Sequence, residues 1–169
     1  METDPIIKAE MLELISAPPT IDSLKHLISW IDLRCADAEW GDSIYHQFLA
    51  RAVIAQGYLY LEFNESLHTI VNTIRSAEEY ALNPTKEKYT VLFDAATKSY
   101  GFGPGEGCHS IREPDTEKRC YPGSGCGSGS GCLLSFYTPP EKLMPRIYQE
   151  LYPWITGTDD PVISRAGHV

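Results

Sequence analysis

Cys108, His109, Cys120, Cys126 and Cys132 crowd the chemistry-bearing side chains of this chain into one short stretch. Four thiols and an imidazole suit a tetrahedral zinc site, with sulfur at about 2.3 Å and nitrogen at about 2.0–2.1 Å. Zinc is thus the cofactor these residues suggest, with the four cysteines as thiolates and His109 as a substitute for one of them. The spacing is unlike that of a zinc ribbon or finger, because no tight Cys-x2–4-Cys knuckle is present. An iron–sulfur cluster would take the same four thiolates. Cys126 and Cys132 could also close a disulfide across serine and glycine, although no Cys-x-x-Cys motif is formed. Thiols carrying no ligand are the plainest reading of a segment whose Gly123–Gly131 run has linker composition.

A cysteine nucleophile needs a base beside it. Cys108 and His109 are sequence neighbours, and neighbouring side chains of an extended chain point opposite ways. A base would have to come from His26, His46 or His68 through folding. Glu65-x-x-His68 and Glu106-x-x-His109 resemble the paired strings of di-iron bundles, but the second lies among glycines. The alternating glycines from 123 to 131 never give a phosphate-binding fingerprint, and no Gly-Lys-Ser/Thr follows them.

The residues that must position this stretch are helical in pattern. Asp4-Pro5 reads as a cap followed by proline at the first helical position. Ile7, Met11, Leu14 and Ile15 follow, and Pro18-Pro19 stops that helix. Thr20 caps a second stripe of Ile21, Leu24, Leu27, Ile28, Ile31 and Cys35, which makes Cys35 a core residue. A third helix opens at Asp42 or Ser43, with Tyr45, Phe48, Leu49, Ala52, Val53, Leu59 and Phe63 on one inner face. Gly57 within it suggests a kink. Asn64 is the expected cap of a fourth stripe, Leu67, Ile70, Val71, Ile74, Ala77 and Ala81. Asn83-Pro84 repeats the cap-then-proline signal ahead of Tyr89, Leu92, Phe93, Ala96 and Tyr100, and Gly101 suits a left-handed cap.

The fold class expected is mainly α. Residues 1–100 form an antiparallel helical bundle or a short stack of helical hairpins. Residues 101–169 hold the Gly/Cys-rich irregular segment, one short strand over residues 132–137, and a C-terminal helix packed back on the bundle. That helix is expected to start in earnest at Pro145 and to end at Pro153.

Composition narrows the function classes. A net charge of −9 opposes nucleic-acid binding, whose affinity comes from Lys and Arg on phosphates. It equally opposes anionic membranes. No apolar run approaches the ~18 residues of a membrane span, and Met1-Glu2-Thr3-Asp4 is acidic where a signal peptide is basic. A cytoplasmic location is expected, where five cysteines would stay largely reduced. Ten tyrosines and three tryptophans suit both a core and an interface. The expected function is therefore that of a non-enzymatic interaction or regulatory protein. It would offer helical faces and a Gly/Cys-rich recognition arm, zinc-clipped in one form, to a protein partner. The alternative is a metal-dependent or cysteine-dependent enzyme with its site at Cys108/His109. The residues name no small-molecule ligand.

Overall fold

The computed structural model describes residues 4–41, 43–63, 67–100, 133–134 and 138–157. They form six packed helices: α1 (Pro5–Ile15), α2 (Ile21–Asp37), α3 (Ile44–Glu62), α4 (Leu67–Leu82), α5 (Lys86–Tyr100) and α6 (Pro140–Thr156). Four of the starts carry a side-chain cap, whereas α6 follows Pro139 without one. The Asp4 carboxylate accepts from the Ile6 amide at 2.8 Å, and the Thr20 hydroxyl accepts from the Ser23 amide at 3.1 Å. Ser43 does the same for Tyr45 at 3.2 Å. The fifth helix is capped differently from expectation. Thr85, rather than Asn83, accepts from the Lys88 amide at 3.1 Å. Pro84 is buried, and its carbonyl accepts from the Gly41 amide at 3.0 Å. The expected caps at Asp42, Asn64 and Gly101 lie outside the described residues.

Cross-helix pairs set the directions. Tyr45 on α3 meets Cys35 and Trp30 on α2. His46 meets Tyr80, and Gly57 lies against Ile74, so α4 runs antiparallel to α3. Thr73 bonds Ser99 while Tyr80 packs on Tyr89, so α5 runs antiparallel to α4. Phe48 packs on Trp154 and Glu62 pairs with Arg146, which lays α6 antiparallel on another side of α3. α6 also packs against α1 and α2.

α3 departs from the one-faced helix that its sequence suggested. Every residue from Phe48 to Gly57 is buried. The reason is position: α2, α4 and α6 all pack on it, so no side is left for water. The helix runs without interruption through Gly57. A Cβ there would lie 2.7 Å from Ile74 Cγ1, so the missing side chain lets α3 and α4 approach closely. Phe63, assigned to the inner face, is 46 % exposed, and the stripe leaders Ile21 and Leu67 are exposed as well.

α6 corrects two expected boundaries. It begins at Pro140, five residues before Pro145, and it passes through Pro153 to a left-handed cap at Gly157, φ 80°. An interior proline costs ~3 kcal/mol. Burying Leu143 and Met144 ahead of one proline, and Trp154 and Ile155 beyond the other, returns about 1.5–3 kcal/mol for each side chain. Burial wins at both ends. Among the described residues there is no strand. Leu133 and Leu134 form a buried turn, and the remainder of the expected 132–137 strand lies outside the described residues.

Candidate functional site

Cys108, His109, Cys120, Cys126 and Cys132 all lie outside the described residues. What the structure does place is the chain on either side of them. The Tyr100 hydroxyl donates to the Val53 carbonyl at 2.7 Å, and its ring packs edge-on against Tyr60 at 4.9 Å. On the far side, the Thr138 hydroxyl accepts from Gln56 Nε2 at 2.8 Å and hydrogen-bonds the Tyr60 hydroxyl. Both flanks are therefore seated on the C-terminal half of α3, around one tyrosine. Sequence reading missed Gln56 and Thr138; the available signal was a glutamine inside an otherwise apolar helical run.

Two clefts open along α1. The first, about 200 Å³, lies between α1 and α2 and is lined by Glu10, Glu13, Leu14, Ser23, His26 and Trp30, with Ala17 at its end. Glu10 accepts from the Trp30 indole N–H at 3.2 Å, and Arg34 stands 3.8 Å from the same carboxylate. The Arg34 guanidinium also lies 5.7 Å from the centre of the Trp30 ring. The second cleft, about 380 Å³, lies between the end of α1 and the start of α6, against Ile15, Pro19, Met144, Pro145 and Tyr148. Ala17 lines both, so the two meet there. Tyr148 and Tyr152 stack on each other at 5.1 Å and are exposed. A third cleft, about 200 Å³, runs between α4 and α5 past Thr69, Asn72, Val91 and the Asp94–Lys98 pair.

Buried polar groups gather at two further places. At the α3–α6 contact, the Arg51 guanidinium lies 4.5 Å over the Trp154 ring, and Glu150 is buried with Arg146 at 3.7 Å. At the opposite end of α4 from Thr73, His46 is 1 % exposed and shares a 2.5 Å hydrogen bond through Nδ1 with the Tyr80 hydroxyl. Trp40 stacks on the imidazole at 4.6 Å, and Tyr80 and Tyr89 close the cluster edge-on. Burial pushes the His46 pKa down to about 4, opposed by the Ala38 backbone.

Of the other residues weighed for chemistry, Cys35 is buried, donates to the Tyr45 carbonyl at 3.4 Å, and has its thiol pKa raised by burial. His26 borders the α1–α2 cleft, and His68 is an exposed residue within reach of Asn72. His26, His46 and His68 therefore stand at three separate places. Among the described residues no three His, Cys, Asp or Glu side chains converge as a metal site. Among the same residues no helix is long and apolar enough to cross a membrane. No family model matches the chain, and no curated protein or solved structure matches it.

Proposed function

We propose that the protein is a non-enzymatic interaction module that docks a basic, amphipathic helical segment of a partner protein along α1. The observation that carries this reading is the pair of clefts that meet at Ala17, with an apolar floor of Leu14, Ile15, Met144 and Trp30 and an acidic rim of Glu10 and Glu13. Helix-in-groove recognition needs an apolar wall, and an acidic edge selects the charge of the segment that docks there. Arg34 already stands beside Glu10 and the Trp30 ring, so Glu13 is the rim carboxylate that would carry the attraction to a basic partner. A net charge of −9 favours the same partner at long range.

The test uses a leucine/lysine amphipathic peptide and its leucine/glutamate counterpart, titrated into isotope-labelled protein. The lysine peptide is expected to shift the Glu10, Glu13 and Tyr148 amides and the Trp30 indole, less so at high salt. Shifts centred on Asn72 and Val91 in the α4–α5 cleft, or an equal response to both peptides, would overturn the reading.

A zinc-clipped arm is the second element of this function, with Cys108, Cys120, Cys126 and Cys132 as thiolates and His109 as a replacement for one. It is supported by the seating of Tyr100 and Thr138 on one stretch of α3, since a chain held at both ends closes into a ligand set at lower entropic cost. Untagged protein should carry near one equivalent of zinc, lost together with four protected thiols on chelation. Metal-free protein in which Cys108, Cys120, Cys126 and Cys132 all react at once would remove the clip and leave the α1 groove to stand on its own test.

A further inference from the structure

We propose that His46 is the pin of an acid-sensitive latch that ties the α2–α3 turn to the α4–α5 turn. Three contacts make the tie. Trp40, from the α2–α3 turn, lies flat on the imidazole, 17° from parallel. Tyr80, at the end of α4, bonds Nδ1. The Gly41 amide donates to the Pro84 carbonyl, which joins the two turns directly. Tyr89 on α5 packs against both Trp40 and Tyr80, so all four rings form one filled cluster.

The neutral imidazole is the form this cluster is built for. Nε2 has no partner at hydrogen-bonding geometry among the described residues, and burial outweighs the help that the Ala38 backbone gives a ring proton. With the proton on Nε2, Nδ1 is free to accept from the Tyr80 hydroxyl. A second proton, taken from solvent, must go to Nδ1. The ring then donates at both nitrogens, and the Tyr80 hydroxyl has to turn its own proton elsewhere. Tyr80 is fully buried, so that proton has no water to meet. Among the described residues, Tyr80 from α4 bonds the ring, Tyr89 from α5 packs on Tyr80, and Tyr89 and Cys35 from α2 lie close enough to Tyr80 to disfavour its ionisation. Cys35 and Tyr80 are held neutral by burial, so neither offers an imidazolium a counter-charge. Stacking on the Trp40 face favours the cation, but only in part against its lost hydration. Relief comes by parting Trp40 and the turn that carries it from the ring.

The test is fluorine NMR on the full chain labelled with fluorotryptophan, whose three tryptophans give separate signals assigned by W40F and W30F. On acidification the Trp40 signal is expected to move between pH 6.5 and about 4 while Trp30, Trp154 and the helical dichroism hold. His46→Gln should abolish the movement. Tyr80→Phe, which removes the hydroxyl from Nδ1 but keeps the ring buried, should displace the midpoint while leaving it below 6.5. If one variant fails to fold, the other decides. Asp42→Asn should leave the midpoint in place; a shift there would assign the titration to Asp42 instead. The latch is overturned if all three tryptophans move together with loss of helix, or if the transition survives His46→Gln.

Discussion

Gly57 holds its place because α3 and α4 touch there. Alanine would add about 1 kcal/mol of helix propensity. Its Cβ, 2.7 Å from Ile74 Cγ1 and 3.1 Å from the Tyr100 hydroxyl, would overpack a dense contact at about 1–3 kcal/mol. Gly57→Ala should therefore lower the urea midpoint, and Ile74→Ala, which removes both Cγ1 and Cδ1, should cost less in that background than in the parent. A variant more stable than the parent by the full propensity gain would mean that α3 and α4 are not in contact at this point. Cys35 gives a second residue-scale prediction. A buried thiol whose pKa is raised has almost no thiolate to react. Brief alkylation of folded protein, read by peptide mass, should spare Cys35 and modify it fully in urea. Rapid native labelling of Cys35 would contradict its place beneath Tyr45.

At the scale of the element, α6 shows why local propensity and tertiary burial can disagree. Its prolines at 145 and 153 are punctuation by sequence, and the helix continues through both because its apolar stripe lies on α3 and α1. Its start is fixed by Thr138, which is buried and bonded to Gln56 and Tyr60. Thr138→Val keeps the shape and deletes the hydroxyl. It should cost about 1–3 kcal/mol, and the amides of Lys142 and Leu143 at the head of α6 should exchange faster than those near Leu151. Uniform exchange along α6 would show that this anchor does not hold the helix start. The stripes of α1, α2 and α5 were legible because each of those helices buries one face. Tyr80 was left out of the fourth stripe although it is fully buried, and a tyrosine with its hydroxyl buried needs a partner, here His46.

Whole-molecule stability should fall on both sides of a plateau. His46 is lowered by burial, so its contribution is present above the unfolded value of 6.5 and is lost as pH falls toward about 4. Over that span the folded-to-unfolded ratio should drop by up to tenfold per pH unit. Cys35 and Tyr80 are raised by burial, so theirs is present below the unfolded values of 9.0 and 10.0 and is lost as pH rises past them. Urea midpoints measured against pH should be flat from about 6.5 to 9 and decline beyond each edge. A His46→Gln protein should keep the alkaline decline and lose part of the acid one. A parent curve flat down to pH 4 would show that the buried imidazole takes its proton in the folded state at no cost.

Sequence alone determined that most of this chain is helical and which faces of α1, α2 and α5 turn inward, because apolar spacing of three and four residues can bury only as helix. It also determined where the thiols sit along the chain. Tertiary structure decided that α3 is the central post, since enclosure by α2, α4 and α6 is a fact about neighbours and leaves no periodic trace. It decided the clefts along α1 and the pairing of His46 with Tyr80 for the same reason: a cavity or a buried hydrogen bond is made by residues 34 or more positions apart, as between His46 and Tyr80, or by whole helices laid side by side. A linear pattern records what each residue prefers to bury, not which helix it will bury it against.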